Sequence, residues 1–373
     1  MSLIKTIWGL LFRLFPCPTR VGLRRVGDPK RDSPVLVTCN FDLTVKRLKR
    51  ILERAGLDAW LLVADSKGVN VWCAAGGDEF DTRSVVSVVK TSGVADEVDH
   101  RTLILPPLGG PGICAAHVKE ETGWSTRWGP VRAGDLPRYL LEGNKRDEVM
   151  KRVTYNWRER LDTALGSIFP FYLLGALGFL IFGRSLFVDY LIVGAAMFLF
   201  LFLACPWLPG DRGLTKILIP EAVLMGLLIA GELLSGQAGF GFRADLIIAM
   251  VLLALFSVEL GGTASTMRSE FDPFLARLGI GAAGNLAWAG TVRTELLNGY
   301  RDLTCFPELC NGCRRCYEIC PIGVWEMDGE KRAVSTHLES CTACRACLVQ
   351  CPTNAIQAVA RETQPTAIPS PGA

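Results

Sequence analysis

Three regimes of hydrophobic patterning follow one another along the chain. Between Pro34 and Leu141, short runs of β-branched and aliphatic residues alternate with segments whose apolar positions recur at helical spacing. Val35–Thr38, Ala59–Val63 and Thr102–Leu105 read as strands, and Leu43–Ala55, Arg83–Lys90 and Ile113–Glu121 as helices. This alternation predicts an α/β, Rossmann-like domain with a largely parallel sheet over residues 34–142. Ligands of such sheets bind beyond the carboxyl ends of the strands. Two unusual loops fall there, Gly68–Gly77 after the second strand and Leu105–Gly112 after the third. Neither contains G-x-G-x-x-G, so a dinucleotide is not indicated.

The second regime is apolar. Thr163–Gly183 and Tyr190–Gly210 are each free of charge for 21 residues, long enough to cross a bilayer. Ile217–Leu234 carries Glu221 and Glu232, and Ala244–Gly262 carries Asp245 and Glu259. The pattern predicts an α-helical transmembrane domain of about four helices over 163–262, entered through a charged linker at 143–162. Basic residues on its flanks agree weakly with both ends lying inside. Glu221 and Glu232 share a helix face but sit near the ends of their span, where headgroup water can reach them. Cys205, in the second span, reads as a packing residue. Residues 1–33 form a basic amphipathic segment that would lie on the membrane surface, or else a disordered leader. Residues 263–300, with the glycine-interrupted Leu278–Val292, read as a linker or re-entrant segment.

Composition sharpens this division. Half of the 373 residues are hydrophobic and the mean hydropathy is +0.29, which argues against a single soluble enzyme domain. Net charge is only +3, too balanced for a nucleic-acid binder. Fourteen cysteines without a cleavable leader argue for metal ligation over a disulfide scaffold, and nine of them lie between Cys305 and Cys351.

That third regime, over 301–360 with a flexible tail at 361–373, carries the strongest motif. Cys310, Cys313, Cys316 and Cys320 precede Pro321; Cys341, Cys344, Cys347 and Cys351 precede Pro352. Both are the C-x2-C-x2-C-x3-C-P run of a bacterial-type 2[4Fe-4S] ferredoxin, a small α+β domain whose fourth cysteine ligates the other cluster. One cluster is thereby assigned Cys310, Cys313, Cys316 and Cys351, the other Cys341, Cys344, Cys347 and Cys320. Zinc is the competing occupant. Cys305 falls outside the pattern and reads as a buried thiol.

On composition alone Trp72 and Cys73 in GVNVWCAAGG read as a buried pair. The segment nevertheless resembles the cap helix of HgcA, the corrinoid protein family of microbial mercury methylation. SPVLVTCNFDLT, LDAWLLVADSKGVNVWCAAGG, HRTLILPPLGGPG and GPVRAGDLPRYL occur in that family's order. The cysteine-rich end is similar to HgcB, its ferredoxin partner, so the chain resembles an HgcA–HgcB fusion with 34–142 as a corrinoid (cobamide)-binding domain. The resemblance implies that Cys73 is the catalytic residue, a thiolate on the lower face of cobalt. Asn70, Val71, Trp72, Ala74 and Ala75 would lie under the corrin ring, and Thr38 would face the same site. It further implies transfer of a methyl group from methyl-Co(III) cobamide to Hg(II), with the fused ferredoxin returning cobalt to Co(I).

Three departures stand against this. Gly77 replaces the family's lysine, the second run reads CTACRAC, and no cysteine follows Cys351 to hand over mercury. Two alternatives follow: a corrinoid methyl carrier of one-carbon metabolism with another acceptor, and a membrane iron–sulfur electron-transfer protein with a structural Cys73. Implied partners are Hg(II) or another methyl acceptor, a methyltetrahydrofolate-linked methyl donor, a cellular electron donor and membrane lipid. Nucleic acid is not among them, and homo-oligomerisation stays open. The expected location is the cytoplasmic membrane, multi-pass, with both end domains facing the cytoplasm.

Overall fold

The computed structural model describes residues 15–154, 156–167, 169–204, 207–208, 213–235, 240–260 and 301–360, with Ile7 and Leu11. The expected surface helix before Phe15, Cys205, the 263–300 segment and the 361–373 tail therefore fall outside the described residues, apart from those two positions.

A five-stranded sheet organises the front of the chain, in the order β1–β3–β2–β4–β5. Its strands are β1 Gly22–Val26, β2 Val35–Cys39, β3 Ala59–Ala64, β4 Thr102–Leu105 and β5 Ser125–Trp128. Pairing is parallel except for β1, which runs antiparallel along β3 from Gly22 opposite Val63 to Val26 opposite Ala59. Every residue of β2 and β3 is buried, because helices cover both faces. Side chains alternate accordingly: Val35, Val37 and Cys39 enter one apolar core, while Leu36 joins Leu61, Val63, Tyr139 and Met150 in the other. The helix Asp42–Arg54 turns Leu43, Val45 and Leu52 inward, with an acid in its first turn and a base in its last, each matched to the helix dipole. Asp81 opens the helix Thr82–Thr91 through a reciprocal pair of bonds with Ser84. β1 lies within the segment expected to be a basic leader, and its Arg24 and Arg25 mark it as a charged sheet edge.

The apolar middle folds as helices Trp157–Ser167, Phe169–Phe182, Phe187–Ala204, Gly213–Ser235 and Phe240–Leu260. The expected transmembrane domain is not supported. Among the described residues, no helix is long and apolar enough to cross a membrane. A span needs about 20 apolar residues in one helix. Gly213–Ser235 contains Pro220, Lys216, Glu221 and Glu232, and Phe240–Leu260 contains Arg243, Asp245 and Glu259. The multi-pass membrane location, and lipid as a partner, lose their basis with it. These helices pack on one another: Tyr190 stacks between Tyr172 and Phe179, at 5.3 and 4.7 Å, and its hydroxyl donates to the Tyr172 carbonyl. Glu232 pairs with Arg243 at 3.3 Å, and burial raises the Glu221 carboxyl above its usual range. Arg47 of the front domain pairs with Asp162 at 3.1 Å. Apolar side chains such as Phe182, Leu233 and Leu234 remain exposed on the outer faces.

The cysteine-rich end is a small α+β unit. Arg301–Cys305 pairs antiparallel with Ile356–Ala360, and Trp325–Met327 with Ala333–Ser335. Helices Arg315–Ile319 and Ala346–Gln350 complete it. Each helix follows a residue in left-handed conformation, Arg314 or Arg345, and each preceding C-x2-C loop has a second one, Gly312 or Ala343. The two motif repeats thus fold alike. This unit docks on the front domain. Glu318 accepts from Arg146 and Lys151, both at 2.9 Å and both cations nearly buried. Tyr317 donates to Glu148 at 2.7 Å, and Arg152 and Lys151 lie over its ring.

Candidate functional site

The loop from β3 into the helix Val71–Gly76 (the cap helix) is fixed from below by Asn40, the residue after β2. Its side-chain oxygen accepts from the Ser66 backbone, the Ser66 hydroxyl and the Gly68 backbone at 3.0, 2.9 and 2.8 Å. Its amide nitrogen donates to Asp65 at 2.9 Å. Gly68 adopts φ +75°, and a Cβ there would strike the Pro18 backbone at 2.5 Å. Only glycine suits both the conformation and the contact. Sequence reasoning passed over Asn40 and Ser66. Their one local signal is a polar residue directly after an apolar strand, which does not reveal a partner 26 positions away.

Asn70 then starts the cap helix. Its side-chain oxygen accepts from the Cys73 backbone at 3.1 Å, and its amide nitrogen lies 3.4 Å from Cys73 Sγ. One carboxamide therefore caps the helix and holds the sulfur. Val71, Trp72 and Cys73 are half-buried, whereas Ala74 and Ala75 are completely buried and belong to the core beneath. Gly112 passes so close that a Cβ would meet the Phe80 carbonyl and the Ala75 backbone. Thr38, near the carboxyl end of β2, is 1% exposed and lies beside the Cys39 thiol. A soft thiol donor held by an amide, with small residues beneath it, fits a large metal-bearing cofactor seated on the cap helix.

In the ferredoxin unit the eight motif cysteines separate into two cavities. The first is lined by Cys310, Cys313, Cys316 and Cys351, with Cys305 beside them. The second is lined by Cys320, Cys341, Cys344 and Cys347. Fourth cysteines thus cross over between the runs. Among the described residues no three His, Cys, Asp or Glu side chains converge where a single metal ion could sit; the thiols ring a volume. Burial pushes the thiols of Cys316 and Cys341 up to about 12, and that of Cys347 well above its ordinary value. Loading these sites therefore displaces protons from thiols that the empty protein keeps neutral. Cys305 is held at about 11, first by burial and then by its neighbour Cys310. It lines the first cavity, so a packing role alone does not describe its position.

An α/β unit with a thiol-bearing cap, joined to a unit with two thiol-lined cavities, defines a metalloprotein of iron–sulfur type. The comparisons with known proteins narrow the front unit. Residues 15–140 match the family model described as CO dehydrogenase/acetyl-CoA synthase delta subunit, and residues 309–356 match a 4Fe-4S dicluster domain. Gamma subunits of acetyl-CoA decarbonylase/synthase complexes are similar to this chain. That of Methanopyrus kandleri is 38% identical over 125 residues, 34% of this chain and 27% of the relative. That of Archaeoglobus fulgidus is 31% identical over 125 residues, 34% and 26% of the two chains. That of Methanocaldococcus jannaschii is 30% identical over 149 residues, 40% and 29%. The chain thus covers about a quarter of the length of these relatives.

These matches overturn the HgcA–HgcB resemblance and the mercury-methylation function drawn from it. The cap-helix segment lies within the stretch that the acetyl-CoA synthase family model also matches. The segment therefore does not single out mercury, and Hg(II) has no remaining support as a partner.

Proposed function

We propose that the chain is a corrinoid-dependent methyl carrier of one-carbon metabolism with its own electron-transfer unit. The observation that carries this reading is the placement of Cys73 and Asn70 on the cap helix of a domain matched to the acetyl-CoA synthase subunits. In this reading Cys73 Sγ is the protein's donor to cobalt, and Asn70, Val71 and Trp72 form the exposed rim of the seat. Ala74 and Ala75 act from below, as small residues that keep the seat flat. Thr38 supplies a hydroxyl to the polar edge of the cobamide. When bound, the corrinoid supplies a metal centre that accepts and releases a methyl group.

The residues of this chain do the positioning. Asn40 fixes the loop, Asn70 fixes the sulfur, and Gly112 lets the next loop close against the cap. The eight cysteines would hold two [4Fe-4S] clusters, whose single electrons keep the cobalt reduced. Fusion of both units raises their effective concentration relative to separate proteins. By analogy with the relatives' names, the methyl acceptor lies in an acetyl-CoA-forming assembly, and the other subunits of such an assembly are the expected partners. The donor would be a methylated pterin or folate.

Anaerobically purified protein tests the reading. It should contain one cobalt and about eight iron atoms per chain and become methylated when reduced and given methyltetrahydrofolate or its pterin counterpart. Iron without cobalt, and no corrinoid uptake on reconstitution, would leave an iron–sulfur electron-transfer protein instead.

A further inference from the structure

The two cysteine-lined cavities are not placed alike. Three residues lining the second one bond to the front domain or to the segment after it, which packs on the front domain through Met150. The Cys320 carbonyl accepts from Arg152 at 2.6 Å, the Pro321 carbonyl accepts from the Val153 backbone at 2.8 Å, and Arg345 pairs with Asp78 at 3.1 Å. Asp78 lies two residues beyond the cap helix. Among the described residues, no residue lining the first cavity makes a hydrogen bond or ion pair to the front domain.

A second set of contacts leads to the same place. Gln350, 3% exposed, donates to the carbonyls of Gly110 and Ile113 at 3.0 and 2.6 Å and accepts from the Ala115 backbone. A Cβ on Gly110 would lie 2.7 Å from the Ile319 side chain, and the same loop two residues on, at Gly112, touches Ala75 of the cap helix. The loop 106–112 is therefore a single layer between the ferredoxin helices and the helix that carries Cys73. A buried glutamine satisfied on three sides by another domain's backbone is a built junction, since unpaired it would be strongly unfavourable.

We propose that the second cavity, ringed by Cys320, Cys341, Cys344 and Cys347, is the electron exit toward the cap helix. The Arg345–Asp78 and Gln350–Gly110 contacts hold it there, and the first cavity is the entry. The inference rests on the functional reading above and adds direction to it. Each transfer removes one electron from the second centre and adds one to the metal on the cap helix. The second centre is refilled from the first, which takes its electron from a low-potential one-electron donor such as a reduced flavodoxin-type protein. No atom is transferred.

The test is a distance measurement in the full chain with clusters loaded and no corrinoid added. A reduction-resistant trityl radical is attached to Cys73, with Cys114 and Cys205 replaced by serine, and its spin relaxation is read before and after reduction of the clusters. Enhancement should vanish in Cys344→Ala and persist in Cys313→Ala. Loss in Cys313→Ala with persistence in Cys344→Ala, or equal effects, would overturn the assignment. Should iron analysis show that Cys344→Ala loses both clusters, the double variant Arg345→Ala, Gln350→Ala decides. It should keep its iron and lose enhancement several-fold, and unchanged enhancement refutes the junction. Because the probe is a label on Cys73, absence of cobalt in the purified protein would sink the functional reading without affecting this result.

Discussion

The front α/β domain and the ferredoxin unit are held together by different things. In the front domain two apolar cores flank the sheet, and the candidate site sits on a six-residue helix that gives Ala74 and Ala75 to one of them while Trp72 and Cys73 stay half-buried. In the ferredoxin unit the core is small, and Cys316, Cys320 and Cys347 are members of it alongside Leu303, Val324, Trp325 and Ile356. Residues that would bind metal are here the same residues that make the fold. Function can be removed from the first domain without unfolding it, whereas in the second, site and stability are one property. Domains this small commonly need such a staple.

Removing the clusters gives the sharpest contrast. Chelation under oxidising conditions should abolish cooperative structure in residues 301–360 while the front domain keeps its exchange protection, as read by hydrogen–deuterium exchange. Equal loss in both domains would erase the distinction. Asn40→Ala should be the most damaging single change near the front site. It strips three donors of their acceptor, two of them on buried Ser66, at a cost of about 2–4 kcal/mol in urea unfolding.

A smaller effect is expected with pH. Tyr139 lies in the core behind the sheet, and burial raises its phenol above the ordinary value. The unfolded chain then ionises first, near pH 10. Stability is complete below that point and falls as pH rises toward the folded value. Tyr139→Phe should flatten this alkaline decline, and an unchanged slope would remove Tyr139 as its source. Smallest is Ala343→Gly. Ala343 occupies φ +52° where the first repeat uses Gly312, so glycine should stabilise the loaded ferredoxin unit by about 1 kcal/mol.

How much was legible in the sequence follows the same division. β2, β3 and β4 stood out because strands buried on both faces are continuous apolar runs. The cysteine runs stood out because ligand spacing is a local, covalent property. β1 and β5 did not, since edge strands such as GLRRV and STRW are polar and short. Asn40 and Gln350 were invisible for a different reason: each is an ordinary polar residue until the fold brings Ser66 or Gly110 to it. The membrane expectation failed because the later apolar stretches carry charges inside their helices, Lys216, Glu221 and Glu232 with Pro220 in one and Arg243, Asp245 and Glu259 in the other. Mercury failed because the segment that carried the resemblance lies within a stretch matched by the acetyl-CoA synthase family as well.

The central claim is that Cys73 meets cobalt directly. Electron paramagnetic resonance of the Co(II) corrinoid bound to the wild-type chain and to Cys73→Ala tests it most simply, with iron content as the check on folding. The account predicts a wild-type spectrum without nitrogen splitting, whose cobalt hyperfine pattern changes in Cys73→Ala while iron stays the same. Superimposable spectra from the two proteins would contradict it.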